Sequence, residues 1–300
     1  MQELISVCVA THNRNTLLAN LLQSLCRQTL RETPPIEIVV VDNTPAGNAR
    51  EVVESARVAN PGIHIAYDIQ PIKNIALTRN LCVSQAKGTH LAFIDDDEYA
   101  NENWIMELYQ ALVKTGGAAV IGPVLPHYPH DTPRWIIEEG FFARKQPPDL
   151  ASIKQGQTNN ALICRKWLEN VGTFNPAFGL TGGEDTDLFQ RITRAGGQLF
   201  WAQHAIVHEH IDKSRTTAQW LLRRAFRGGQ MYATITATTT SLPRKIMRAT
   251  WQIPAATILT ALALPALCIG RGKSMRLLMK AAVQLGHVST VLPFRFQEYA

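Results

Sequence analysis

Over residues 5–122 the chain switches repeatedly between two periodicities, and this switching restricts the fold more than any other feature. Short apolar, β-branched runs occupy residues 5–10, 36–41, 63–67, 90–94 and 118–122. Stretches with helical spacing fill 17–27, 49–60, 75–86 and 103–115. In the first of these, Leu17, Leu18, Leu21, Leu22 and Leu25 make one apolar face. The rhythm predicts an α/β fold, a mainly parallel sheet flanked by helices. Unbroken runs such as IEIVVV suit strands buried on both faces. Ligands of such sheets sit beyond the carboxyl ends of the strands, so polar residues that directly follow a strand are the first candidates for a site.

A chain of 300 residues is long enough for one large domain or two ordinary ones. Its 46% hydrophobic and 18% charged content excludes a disordered, collagen-like or coiled-coil protein. A mean hydropathy of -0.06 excludes a protein of many membrane spans. The five cysteines form no CxxC pair, which points to reduced thiols in the cytosol rather than a disulfide framework or a zinc site. The N-terminal MQELISVCVATHN lacks a basic leader and runs straight into a strand, so no export signal is expected there.

Charge is divided unevenly. Residues 1–212 carry 17 Lys+Arg against 23 Asp+Glu, whereas residues 213–300 carry 13 against a single acid, Glu298. The basic tail opens with an amphipathic helical pattern over 217–233. Residues 251–270 follow without a formal charge, interrupted by Pro254 and Pro265, and 277–292 form a second apolar stretch. The proline breaks and the Ala and Thr content predict a segment lying in the membrane interface or re-entering it rather than a clean span. Residues 123–157, rich in Pro, aromatics and charge, read as an insertion or loop. The interleaved apolar runs and the absence of a recognition motif exclude a nucleic-acid partner for the tail.

The strongest local signal is LAFIDDDEYA, in which a buried strand delivers Asp95, Asp96, Asp97 and Glu98 at its carboxyl end. Adjacent acids raise each other's pKa unless a cation is present. Carboxylates are hard ligands for Mg²⁺ or Mn²⁺; a solvated acidic turn is the alternative. Asp42 closes the strand IVVVD in the same way, and Thr11, His12, Asn13 and Arg14 follow ISVCVA. Three strand ends thus offer polar groups at one sheet edge, which suits a nucleotide. Thr11 or Asn13 alternatively caps the next helix. In GLTGGEDTDLFQRI, glycines precede Glu184, Asp185 and Asp187. These acids are either dipole partners of a helix or a presentation of Asp185 as a general base. His208 and His210 follow a short strand; they are expected on opposite faces of the extended chain, so that one metal takes only one of them.

These motifs, in this order, resemble the family 2 glycosyltransferases, inverting enzymes of GT-A fold. SVCVATHNR, VVVDN, NIALTRN, FIDDDE, TNNALICRKWLENVGTFNPAFG, GGEDTDLFQRITRAGG and VHEHI are similar to successive family elements, and the resemblance covers roughly residues 4–230. The resemblance implies a catalytic domain over 1–212, with a nucleotide-binding half (1–122) and an acceptor half (158–212), and a membrane-associating tail over 213–300. It implies that Thr11, Arg14, Asp42, Arg79, Asp95 and Asp96 bind the donor. Asp97 and His208 would hold Mn²⁺ or Mg²⁺, Asp185 would act as catalytic base, and Glu184 would sit beside it for the acceptor. RRAFRGGQ (223–230) stands where processive members carry Gln-x-x-Arg-Trp. It looks like the corresponding stretch of bacterial exopolysaccharide enzymes that add single sugars to a lipid-linked acceptor. Arg224 or Arg227 would there contact the donor diphosphate, or else lie on anionic lipid. The implied partners are a nucleotide-sugar donor, by family habit a UDP-sugar, a lipid-linked saccharide acceptor and an anionic membrane surface. The implied place is the cytoplasmic face of the inner (plasma) membrane, held peripherally or monotopically by the tail. A nucleotidyltransferase on a related sheet and a non-catalytic membrane-bound scaffold are the competing readings.

Overall fold

A computed structural model describes residues 3–236 and 242–291. The parts of the basic tail at 237–241 and 292–300, with Leu292 and Glu298, lie outside the described residues. In chain order the elements are β1 (Ile5–Thr11), α1 (Asn15–Cys26), β2 (Ile36–Asp42), α2 (Arg50–Ala59), β3 (His64–Ile69), α3 (Ile75–Gln85), β4 (His90–Asp95), β5 (Glu98–Ala100), α4 (Trp104–Thr115), β6 (Ala119–Ile121) and β7 (Val124–His127). They continue with α5 (Arg134–Glu138), β8 (Ser152–Ile153), β9 (Asn160–Cys164), α6 (Arg165–Val171), α7 (Glu184–Arg194), β10 (Leu199–Trp201), β11 (Val207–His210), α8 (Ala218–Thr236), α9 (Leu242–Ala266) and α10 (Arg271–Ser289). The described residues fall into two compact units, one of 3–127 with 144–210, the other of 128–143 with the residues from 211 onward.

The first unit is built on an eight-stranded sheet of order β3-β2-β1-β4-β9-β6-β10-β8. Strands β3, β2, β1 and β4 run parallel, as the βαβ rhythm predicts. Side-chain alternation sends Ile5, Val7 and Val9 of β1 into one core with Leu18, Leu21, Leu22, Leu25 and Trp104. Cys8 faces the other core, with Val39, Val41, Phe93, Phe174 and Phe189. Strand β9, a buried NALIC run, was not foreseen as a strand; it enters antiparallel between β4 and β6. Its Asn160 has no exposed surface and ties three elements together. Trp104 Nε1 donates to its Oδ1 at 2.8 Å, and its Nδ2 donates to the Pro123 and Ala205 carbonyls. A small second sheet, β5-β11-β7, starts directly after the acidic run.

The second unit packs α10 along α8 and α9. A Cβ on Gly229 would come within 2.2 Å of the Val283 carbonyl oxygen, and one on Gly286 within 2.0 Å of that of Phe226. The glycines of RRAFRGGQ thus include one that lets two helix backbones touch. No helix among the described residues is long and apolar enough to cross a membrane.

Burial also sets thiol reactivity. It pushes Cys8 well above the usual thiol value and Cys82 up to about 12, and it raises Cys26 and Cys164. Cys268 alone among the five is exposed. Brief alkylation of the folded protein at pH 8, read by mass spectrometry, is expected to label Cys268 first; early labelling of Cys82 would contradict the packing.

Candidate active site at the carboxyl edge of the sheet

The site forms where β1 and β4, hydrogen-bonded neighbours, end side by side. Asn13 has a left-handed backbone (φ 54), a conformation that asparagine tolerates. Beyond it, Arg14 Nη1 donates to Asp96 Oδ1 at 2.8 Å and to Asp97 Oδ2 at 3.0 Å. Thr11 Oγ1 donates to Asp96 Oδ2 at 2.8 Å. Asp96 is therefore turned inward and buried, stitching β1 to β4. Both of its carboxylate oxygens accept from residues at or just past the end of β1.

Asp42, at the end of β2, is enclosed in the same way. It has no exposed surface and accepts from Thr44 N, Thr44 Oγ1, Ala49 N and the Tyr67 hydroxyl. A carboxylate offers about four lone-pair sites, and these four donors tie Asp42 to the loop into α2.

Arg79 lies on α3, whose first turn is capped by Asn74 accepting from Leu77 N. Its Nη2 donates to Asp95 Oδ1 at 2.8 Å, and its Nη1 is ion-paired with Glu184 Oε1. Asp95 keeps 37% of its side chain exposed, whereas Arg79 and Glu184 are buried. One guanidinium thus fixes the end of β4 to the start of α7. That helix begins after Gly183, whose φ of 99 only glycine adopts readily. The turn places Glu184 inside and leaves Asp185 half-buried, its Oδ1 accepting from Thr186 N. Burial, together with the charge of Asp185, pushes the Glu184 carboxyl up to about 7 against the pull of Arg79. Its Oε2 is buried without a hydrogen-bond partner.

The two histidines do not face opposite ways. Residues i and i+2 of a strand share a face, and both rings pack on Tyr99, at 4.9 Å for His208 and 5.2 Å for His210. His208 Nε2 lies 3.2 Å from Asn101 Oδ1. It is His210 that meets Asp97, donating its backbone N–H to the Asp97 carbonyl at 2.8 Å and feeling that side chain's charge. Sequence reading did not single out Tyr99 or Asn159. The last donates to Glu98, whose carboxyl is raised far above its usual range by burial and by Asp95 and Asp97. The Asn159 contact has no sequence signal. Arg224 stands on α8 of the second unit, its guanidinium over the rings of Phe142 and Trp220.

Among the described residues no three His, Cys, Asp or Glu side chains are gathered into a preformed metal cage. The donor set nevertheless fits a hard divalent cation. Asp95, Asp96, Asp97, Glu98, Glu184 and Asp185 bring six carboxyl groups, of which Arg14 and Arg79 offset part. Such cations are commonly held by one or two carboxylates plus substrate phosphates rather than by an all-protein cage.

Comparison with known proteins agrees with this architecture. The sequence model of "Glycosyl transferase family 2" matches residues 6–172. The chain is 36% identical over 234 residues to the succinoglycan biosynthesis protein ExoM of Rhizobium meliloti (strain 1021), covering 78% of this chain and 75% of that one. Among solved structures it is similar to the mannosyltransferase PcManGT from Pyrobaculum calidifontis in complex with GDP-Man and Mn²⁺. The TM-score is 0.67 at 19% identity, covering 95% of this chain and 86% of that one. S. aureus TarS 1-349 in complex with UDP-GlcNAc matches with a TM-score of 0.54 at 14% identity, covering 93% and 90%. The fold is GT-A, and the chain belongs to glycosyltransferase family 2.

Proposed function

We propose that this glycosyltransferase moves a sugar from a nucleotide-diphospho-sugar to a lipid-linked saccharide during exopolysaccharide assembly, with inversion at the anomeric carbon. The observation that carries the reading is the Arg79 bridge, which joins the acidic end of β4 to Glu184, the neighbour of the half-buried Asp185. The relative's role in succinoglycan biosynthesis supports the pathway class, and the complexes of the structural neighbours support a nucleotide-sugar donor.

Asp185 takes the proton of the acceptor hydroxyl. That oxygen bonds to the anomeric carbon from the side opposite the nucleotide, and the bond from that carbon to the diphosphate oxygen breaks with its electron pair. Thr11 and Arg14 line the donor pocket, and Arg79 orients Asp95 toward it. Glu184 sits beside Asp185 on the acceptor side. Asp97, with Asp95 and the adjacent His210 or His208, would hold Mn²⁺ or Mg²⁺. Such an ion supplies positive charge for the departing diphosphate. The basic tail, attracted to anionic lipid, would hold the enzyme at the cytoplasmic face of the plasma membrane as a peripheral or monotopic protein.

The test is nucleotide release from UDP-, GDP- and dTDP-sugars by the full chain, with a membrane lipid extract as acceptor. Acceptor-dependent release from one donor is expected; release from none would remove the donor-site assignment. Exhaustive chelation should abolish turnover and added Mn²⁺ or Mg²⁺ should restore it. Activity that survives chelation would remove the metal from the reading.

A further inference from the structure

The second unit contains a cleft that the transfer reaction does not use. It has a volume of about 850 Å³ and runs along the α9–α10 hairpin, with Trp135 of α5 in its wall. Binding cavities for small ligands span about 300–1,000 Å³ and are mostly apolar. Its lining extends from Ile253 on α9 to Leu267 just past that helix, and from Arg271 to Leu285 on α10. At 1.5 Å per residue, that is a groove about 20 Å long. Leu264, Met275 and Leu278 add to an almost wholly hydrocarbon wall.

The side-chain hydroxyls of this wall are already committed. Thr257 Oγ1 donates to the Ile253 carbonyl, Thr260 Oγ1 to that of Ala256 and Ser274 Oγ to that of Ala263. Arg271, the one charged residue in the lining, is exposed at the loop end of the groove. Lys273 and Arg276 share Glu139, whereas Arg271 makes no ion pair among the described residues. Arg271 also opens α10, whose N-terminus has no side-chain cap, so helix dipole and guanidinium favour an anion at the same end. Around the groove, Trp251, Ile258, Leu264 and Ile269 present bulky apolar side chains to solvent, each more than half exposed.

We propose that this groove binds one long hydrocarbon chain that carries a phosphate at its end, the lipid portion of the acceptor. The apolar wall takes the chain, and Arg271 with the start of α10 takes the phosphate. The assignment of the chain to the acceptor rests on the function proposed above, whereas occupation of the groove is measured without any sugar donor.

The experiment is equilibrium binding of a polyprenyl phosphate to the full chain in mixed micelles, with phosphatidylcholine and inorganic phosphate as controls. Wild type should retain one lipid per chain. Ala261 is exposed and lines the groove, so Ala261→Trp fills it without disturbing a core. Ala261→Trp and Arg271→Glu should each weaken binding by about tenfold or more, the effect of losing one fitted or charge-assisted contact. Both should leave turnover on a short, water-soluble saccharide acceptor unchanged. Binding unaltered in both variants, equal retention of phosphatidylcholine, or displacement by inorganic phosphate would overturn the proposal. So would a wild-type dimer that Ala261→Trp converts to a monomer, which would assign the groove to a second copy. If wild type releases nucleotide from no donor yet retains the lipid in an Ala261- and Arg271-dependent way, the transfer reading fails and the groove stands.

Discussion

Asp185→Asn lowers turnover by about 10²–10⁴-fold, the usual contribution of a positioned general base, and leaves nucleotide affinity and thermal stability near those of wild type. The geometry separates these effects. The Asp185 carboxylate accepts from Thr186, its neighbour in the first turn of α7, and, among the described residues, from no other element. An amide oxygen accepts the same bond, so the helix start keeps its geometry. What Asn cannot do is take a proton from the acceptor hydroxyl. Single-turnover nucleotide release alongside a thermal melt and a UDP-binding titration checks all three parts. A variant that turns over like wild type would leave the site without its base, and a variant that melts early would make Asp185 a structural residue.

Arg79→Met is expected to destabilise the fold by about 3–5 kcal/mol, the cost of removing one partner from a buried ion pair. The guanidinium is the counter-charge of the buried Glu184, and it also holds Asp95 and lies over the Phe174 ring. Without it two carboxylates face each other with no cation between them. The loss also has a pH signature. The Glu184 carboxyl is raised to about 7 in the folded protein from an ordinary value of 4.5. The folded state therefore binds more protons than the unfolded chain across that window, and this group's contribution to stability falls as pH rises through it. With Arg79 gone, the folded value moves further up, and the variant should recover part of its deficit as pH is lowered from about 8 toward 5. Melting curves of both proteins at several pH values read this directly. A deficit that is constant with pH would show that Arg79 acts through packing alone.

Local patterning determined much of this protein. The strand and helix runs of the first half, the placement of Asp95 to Glu98 at a strand end and the glycine-led start of α7 are short-range properties. Alternation, helical spacing and the backbone freedom of glycine express them within about ten residues. The family was legible for the same reason, since its elements are contiguous and ordered along the chain. Tertiary structure decided which of these polar residues face outward. Asp42 and Asp96 look like Asp95 in the sequence, yet four donors close on Asp42, and Thr11 and Arg14 close on Asp96. Those donors arrive from elements as many as 85 residues away. The same holds for β9, a five-residue run that takes its place between β4 and β6 because their edges need a partner. It holds for Arg79, whose two carboxylates come from β4 and α7. Hydrogen-bond saturation and burial depend on what the rest of the chain brings to a position, and for that reason a single run of sequence cannot specify them.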